Sequence, residues 1–373
     1  MSVAIPGAQL STQGKRIEQL TFTRFVAAVA IVIFHDGLEV FPFYLPGIHT
    51  VFSNAFTGVS YFFLLSGFVM VIAYTQVPPK PVSFAGYYVN RFARIYPAYF
   101  LALAGVTLIF IFSNTPVGGL SVVFGFLLLQ AWVPGYAVTL NVPGWSLSVE
   151  FFFYLVFPFL FNAFYRKKEN YKIILWVVMA MWLVTQIISN VGPAIFSSSP
   201  IVKDIFYYHP LMHINEFVIG NFFALFFLRH TEARYFGNHA IKIFLLLIVI
   251  VAFMLMSIPL NVHNGLLALY FVPLILLLAY DKGPLSDFFS KPVAVLLGEI
   301  SYGIYIYQKP VRYVVFKLYS VLGIHQKELC FYGFLLALIV WSYLSYRFFE
   351  QPVRKAIQSR FKSRSVPSVA PVN

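Results

Sequence analysis

Apolar runs of about 20 residues recur along the whole chain, separated by short polar stretches. A helix of that length crosses the roughly 30 Å hydrocarbon core of a bilayer. The pattern therefore predicts an all-α, polytopic helical membrane protein with ten spans and no attached soluble domain. The predicted spans are 20–41, 56–77, 95–113, 145–165, 172–190, 209–229, 241–258, 263–280, 293–319 and 329–349.

One further apolar stretch, 119–133, has only about 15 residues, which favours a re-entrant or interfacial helix. If this stretch does not cross and both termini are cytoplasmic, 20 of the 26 lysines and arginines fall on the inner side. Only three, at Lys203, Lys317 and Lys327, fall outside, and three lie within helices. This positive-inside bias favours ten spans in a multi-pass membrane protein with both termini cytoplasmic.

The predicted organisation has three parts. Residues 1–19 form a cytoplasmic tail without an apolar segment and cleavage site, so no removable signal peptide is expected. Residues 20–352 form the transmembrane domain. Residues 353–373 read as a basic, disordered cytoplasmic tail that suits an anionic lipid leaflet.

Composition narrows the class of protein. Of 373 residues, 60% are hydrophobic and only 10% are charged, with a net charge of +13. The basic residues lie in short clusters between apolar segments, so they are expected to orient the protein in a membrane and not to bind nucleic acid. The single cysteine, Cys330, excludes an intramolecular disulfide and Cys-rich metal chemistry.

Among the ionisable residues of the first span, Arg24 and His35 are ones that a bilayer would normally exclude. Eleven positions return to within about 20° of the same helix face with a rise of about 16 Å, so the two side chains share one stripe at two depths. Glu39, one turn further on, could hold an imidazole nitrogen. The alternative is that Arg24 extends to the lipid headgroups and His35 is an interfacial residue without a role.

Arg91 and Arg94 stand at i, i+3 spacing near the start of the third span. Two guanidinium groups on one side of a helix could grip a phosphate. The alternative is an ordinary cytoplasmic anchor with an aromatic belt.

Other polar residues interrupt the apolar runs, most of them near the outer side. Glu150 follows Trp145 and Ser146 in an apolar helix, where a structural ion pair is the alternative to a catalytic role. His213 and Glu216 could suggest a metal site, but their order is not that of a zinc helix and no metal is predicted. Aromatic packing is the default for the tyrosines near Ser301, at Tyr302 and Tyr305.

Taken in order, these motifs resemble the acyltransferase 3 family of polytopic membrane O-acyltransferases, over about residues 20–352. Two positions depart from the family's pattern: Gln308 stands where the family often has His, and Asn215 where it often has Arg. Many relatives carry an additional hydrolase-like domain outside the cytoplasm, which is not expected here. The matching pieces are Arg24 with His35, GVSYFFLLSGF at 58–68, Arg91 and Arg94 before Ile-Tyr-Pro, WSLSVE at 145–150, Glu216 with Gly220, ISYGIYIYQKP at 300–310, and Glu350 with Pro352.

The resemblance implies transfer of an acyl group, commonly acetyl, from coenzyme A to a hydroxyl of a cell-envelope or exported carbohydrate, free or lipid-linked. An acyl-CoA is then a co-substrate, and no permanently bound cofactor is expected. His35 is the expected general base or transient acyl carrier, and Glu150 its orienting partner or a ligand for the acceptor hydroxyl. Arg24, Arg91 and Arg94 are the expected donor-binding residues, Arg24 near the pantetheine arm or the thioester. Expected acceptor or supporting residues are Trp145, Ser146, His213, Glu216, Ser301, Tyr302 and Tyr305.

Two other classes of protein fit the same residues. A glycan transporter or flippase would line its path with these polar groups without any chemistry. A structural subunit of an envelope-polysaccharide assembly would not need Arg24 and His35 on one face. Binding of acetyl-CoA to the purified protein distinguishes the enzyme from both.

Overall fold

The structure is a computed structural model that describes residues 17–76, 78–196, 199–256 and 258–365. Within those ranges the chain is helical, with one isolated backbone bridge between Gly237 and Asp281. The helices are α1 Gln19–Asp36, α2 Pro46–Ser53, α3 Gly58–Tyr74, α4 Phe84–Phe112, α5 Gly119–Phe126, α6 Gly144–Leu160, α7 Tyr171–Phe196, α8 Pro200–Tyr208, α9 Pro210–Arg229, α10 Ala240–Leu255, α11 Ala268–Tyr280, α12 Pro284–Phe289, α13 Pro292–Ile306, α14 Gln308–Val321, α15 Lys327–Ser345 and α16 Gln351–Ser365.

The predicted fold class is confirmed: the protein is a polytopic helical membrane protein. In the described part of the chain, seven helical regions are long and apolar enough to cross a bilayer, and α10, α11 and α13 are shorter apolar helices. Together these ten regions correspond one for one to the predicted spans. The seven longer regions are Gln19–Asp36, Pro46–Tyr74, Phe84–Phe112, Gly144–Tyr165, Tyr171–Pro193, Pro200–Arg229 and Lys327–Phe361.

Several boundaries differ from the prediction, and two of these differences lie near candidate site residues. The third span starts at Phe84 and not near 95, so Arg91 and Arg94 lie inside α4. The segment predicted as one span over 293–319 breaks between α13 and α14, because Pro310 lacks an amide hydrogen and its ring would clash with the preceding turn. The stretch 119–133 agrees with the prediction that it does not cross, because its helix α5 has eight residues, about 12 Å, which is too short.

The basic C-terminal segment is helical where the sequence predicted disorder. Helix α16 begins at Gln351 and is held against α4, where Gln358 Nε2 donates to Asn90 Oδ1 at 2.8 Å. This tertiary contact supplies the order that composition alone does not. The predicted features of residues 1–16 and 366–373 lie outside the described residues.

Glycines set the closest helix contacts, as is common where helices pack in lipid. A Cβ at Gly67 of α3 would clash with the Phe217 carbonyl of α9, and one at Gly220 would clash with the Leu64 carbonyl. A Cβ at Gly298 of α13 would clash with the backbone of α1 at Thr21. The contact between α1 and α13 brings the end of α1 beside the start of α14, where the candidate site lies.

Candidate active site

The imidazole of His35 is held by a residue from a different helix. His35 Nδ1 lies 2.7 Å from Oε1 of Gln308, the first residue of α14. The Gln308 side chain is 2% exposed, whereas that of His35 is exposed. The break between α13 and α14 therefore presents a buried amide to the one exposed histidine of α1.

The hydrogen bonds of Gln308 determine which imidazole nitrogen carries the proton. Gln308 Nε2 donates to the carbonyl oxygen of Tyr305 at 2.9 Å, so Oε1 faces His35 as an acceptor. A neutral imidazole must then donate from Nδ1, which leaves the lone pair of its second nitrogen on Nε2. When the imidazole is neutral, this arrangement leaves Nε2 free of its proton and able to accept one.

A second layer of hydrogen bonds supports this pair. The Tyr305 hydroxyl lies 2.9 Å from Ser146 Oγ, and Ser146 also donates to the carbonyl of Pro143. Both side chains are buried. Tyr305 and Ser146, predicted as acceptor or supporting residues, thus join α13 to α6 directly behind Gln308.

A cavity of about 680 Å³ opens beside His35. Arg312 Nε lies 2.5 Å from Asp36 Oδ1, and Lys327 Nζ lies 2.7 Å from Glu39 Oε2. The hydrogen bond from Lys327 and its charge lower the pKa of Glu39. The sequence had suggested that Glu39 holds the imidazole of His35. In the structure Glu39 pairs with Lys327 instead. The cavity lining includes Phe34, His35, Asp36, Glu39, Arg312, Phe316, Tyr319, His325, Lys327 and Phe331.

Glu150 lies deeper in the bundle and has its own partners. Its Oε1 accepts a hydrogen bond from Ser66 Oγ at 3.1 Å and another from the hydroxyl of Tyr154. It is close enough to the hydroxyls of Tyr302 and Tyr305 for its charge to act on them. The residue that contacts His35 is Gln308, so Glu150 stands one layer behind the imidazole.

The predicted donor-binding arginines converge at the opposite end of α1. The Arg91 guanidinium lies 5.3 Å from the ring centre of Tyr74, 5.8 Å from that of Tyr87 and 5.7 Å from that of Tyr154. Its Nη2 also donates to the Tyr74 hydroxyl at 3.2 Å. Aromatic faces hold this cation in place without neutralising it.

Arg94 is exposed and lies near enough to Arg24 and Arg91 for the charges to interact. All 13 acidic residues of the chain fall within the described ranges, and none forms an ion pair with these arginines. This end of the bundle therefore carries an uncompensated positive charge.

His213 and Glu216 form a closed pair. His213 Nδ1 lies 2.9 Å from Glu216 Oε2, its Nε2 lies 3.0 Å from the Tyr207 carbonyl oxygen, and both side chains are buried. Both ring nitrogens are engaged, so neither can serve as a base. Trp145 packs against His213 and against His263, whose pKa is held well below its usual value by burial and by His213.

Ser301 and Tyr302 bond to backbone. Ser301 Oγ donates to the Gly298 carbonyl, and the Tyr302 hydroxyl donates to the Ile95 carbonyl of α4 at 2.9 Å. Sequence reasoning missed Gln308, Asp36 and Arg312. The available signals were that Gln308 departs from the expected family pattern and that Asp36 is adjacent to His35.

Comparison with known proteins places these residues in a wider context. Residues 17–347 match a family model described as an acyltransferase domain. The chain is 30% identical over 228 residues to Acyltransferase MdmB of Streptomyces mycarofaciens, covering 56% of this chain and 57% of that protein. It is 24% identical over 371 residues to Peptidoglycan O-acetyltransferase OatA of Listeria monocytogenes, covering 91% of this chain and 56% of that protein. The chain thus spans somewhat more than half the length of both relatives. No solved structure matches it.

Proposed function

The chain belongs to the acyltransferase domain family, and from that premise we propose that it transfers an acyl group, most simply acetyl, from coenzyme A to a carbohydrate hydroxyl. The observation that carries this proposal is the His35 and Gln308 pair at the edge of the cavity. A neutral imidazole with a fixed tautomer is well suited to remove a proton from a hydroxyl near neutral pH.

In the proposed reaction, His35 Nε2 takes the proton of the acceptor hydroxyl as its oxygen attacks the thioester carbonyl. The new carbon–oxygen bond forms, the carbon–sulfur bond breaks, and the imidazolium returns the proton to the departing thiolate of coenzyme A. Gln308 keeps the ring oriented throughout, because its Oε1 accepts from Nδ1 in the neutral and the protonated states alike.

Charge supports different sites for the two substrates. The arginine end has cations without paired carboxylates, which suits the phosphates of coenzyme A. In the cavity, Asp36 and Glu39 are balanced by Arg312 and Lys327. Such a balanced pocket, with aromatic rings at Phe316 and Tyr319, suits an uncharged sugar that offers hydroxyl groups and an apolar ring face.

Helix α1 connects the two sites. Arg24 and His35 are eleven residues apart on one face, which is about 16 Å along the helix axis. The pantetheine arm would follow this face from the phosphates to the thioester. Arg24 then lies where it could hold the arm or stabilise charge on the thioester oxygen.

Direct transfer and a transient acyl-imidazole both use Nε2 of His35. An acyl-enzyme releases coenzyme A before any acceptor is added, whereas direct transfer does not. Rapid mixing of the protein with acetyl-CoA alone, followed by thiol detection, distinguishes the two routes.

We place the arginine end in the cytoplasm and the cavity on the outer side of a bacterial inner membrane, with both termini cytoplasmic. This orientation follows the distribution of basic residues. In this orientation the donor enters from the cytoplasm, where coenzyme A is made, and the acceptor binds on the outer side. An envelope glycan is the proposed acceptor class, and one relative is named for O-acetylation of peptidoglycan.

Two measurements test this function. Acetyl-CoA should bind the purified protein in detergent, and mass spectrometry should find an acyl-modified envelope glycan only in cells that carry the gene. Absence of donor binding, together with glycan movement that does not consume acetyl-CoA, would instead support a flippase.

A further inference from the structure

A fourth arginine joins the cluster from the C-terminal helix. Arg94 lies close enough to Arg354 of α16, as well as to Arg24 and Arg91, for their charges to interact. Arg354 lies four residues after Glu350, but the carboxyl of Glu350 accepts a hydrogen bond from Ser345.

The packing of α16 against α4 explains why two cations meet there. Gln358 bonds to Asn90, and the ring of Phe361 lies 3.9 Å from the position of a Cβ at Gly86. These two contacts define an antiparallel register. One turn back along α16 from Gln358 is Arg354, and one turn forward along α4 from Asn90 is Arg94, so the register brings the two arginines opposite each other.

Like charges facing each other across a helix contact are unfavourable unless something else compensates them. Among the residues that the structure describes, no acidic side chain forms an ion pair with Arg354, Arg94, Arg91 or Arg24. Arg94 and Arg354 are also exposed. The four arginines are therefore accessible to an anionic ligand and have no acidic side chain of the protein as an ion-pair partner.

We propose that Arg354 binds the 3′-phosphate of coenzyme A and makes that phosphate a determinant of donor recognition. This inference rests on the proposed function. Coenzyme A carries about four negative charges at neutral pH, about two on the diphosphate and up to two on the 3′-phosphate, which matches four guanidinium groups. Arg91 and Arg24 are half-buried, so we assign them to the diphosphate. The two exposed arginines are left for the phosphate at the adenosine end.

The test compares coenzyme A with dephospho-coenzyme A, which lacks only the 3′-phosphate, by calorimetry on the protein in detergent. Wild type should bind coenzyme A at least about tenfold more tightly, since a charge-assisted hydrogen bond contributes that much. Arg354→Gln should lower the affinity for coenzyme A about tenfold and leave the affinity for dephospho-coenzyme A unchanged. The matched control is Lys355→Gln, which removes a neighbouring charge from another face of α16 and should leave both affinities unchanged.

Equal weakening of both ligands by Arg354→Gln would overturn the proposal in favour of a general effect of charge. No change with either ligand would also overturn it, and loss of co-purified phosphatidylglycerol in the same variant would assign Arg354 to lipid headgroups. Failure of wild type to bind coenzyme A at all would reject the proposed function itself. A gel-filtration profile like that of wild type shows that the variant is folded.

Discussion

The charged side chains at the two ends of the bundle differ in whether they form ion pairs. Beside His35, the acidic residues of the cavity pair with cations, Asp36 with Arg312 and Glu39 with Lys327. At the other end, Arg24, Arg91 and Arg354 lie close enough to Arg94 for their charges to interact, and none of the four forms an ion pair with a carboxylate.

A protein that needed only membrane anchors would place its cations singly at the interface, where water and lipid headgroups solvate them. Clustering four of them from three helices costs free energy that an anionic ligand can offset. The balanced end, by contrast, favours no charged ligand. The difference assigns the anionic donor to one end and the neutral acceptor to the other, with α1 between them.

The largest expected effect is at the balanced end. His35→Ala should lower kcat by at least about 100-fold, since general-base catalysis typically supplies that factor, while coenzyme A affinity stays unchanged. His325→Ala, in the same cavity, is the matched control and should keep most of the activity. Steady-state kinetics with acetyl-CoA measure both. Retention of more than about a tenth of the activity without His35 would remove the base from the mechanism.

The next effect is at the uncompensated end. Arg94→Gln should weaken coenzyme A binding about tenfold or more, because it removes a guanidinium group that is proposed to bind a phosphate of the donor. The KM for the acceptor and the orientation of the helices in the membrane should not change. Added salt should weaken donor binding and leave the acceptor KM unaffected. Arg347→Gln removes an exposed charge from the chain between α15 and α16 as a control. An equal loss of affinity for the donor and for the acceptor would contradict the distinction between the two ends.

A smaller effect sharpens the role of Gln308. Gln308→Ala should lower kcat about tenfold through loss of one orienting hydrogen bond. Gln308→Glu keeps an acceptor and adds a charge that stabilises the imidazolium, so the acid limb of the pH–rate profile should move to higher pH. A profile identical to that of wild type would show that Gln308 does not act through His35.

The smallest effect is at the rim of the cavity. Lys327 lowers the pKa of Glu39, so their pairing stabilises the fold above the usual pKa of a glutamate and is lost as the pH falls through the lowered value. Both side chains are exposed, 65% for Lys327 and 80% for Glu39, and such pairs contribute little. Lys327→Gln should leave Tm at neutral pH unchanged. A clear drop in Tm would mean that the pair is structural.

Much of the fold was predictable because lipid demands long apolar helices, and each predicted span has a helical counterpart. The face shared by Arg24 and His35 followed from helix periodicity alone. The break before Gln308 was harder to predict, because apolar residues resume after the polar QKPVR stretch at 308–312 and Pro310 could equally kink one span. Order in α16 depends on contact between Gln358 and Asn90, which no local pattern reveals.

The site was predictable only in part. Single residues such as His35, Arg91 and Arg94 stand out because lipid should exclude them. Their partners do not, since the hydrogen bond from His35 to Gln308 joins residues 273 positions apart. The convergence of Arg354 with Arg94 likewise depends on a helix register that exists only after packing.

The most direct test of the opposed ends is cysteine protection with an impermeant thiol reagent, in a Cys330→Ala background. Gln351→Cys, one turn before Arg354 on α16, reports on the arginine end and His325→Cys on the cavity. Acetyl-CoA, which has no free thiol to react with the reagent, should slow labelling at position 351 and not at position 325, and the two cysteines should react from opposite sides of the membrane. Protection at position 325 by acetyl-CoA alone, or labelling of both positions from the same side, would contradict the assignment of donor and acceptor to opposite ends.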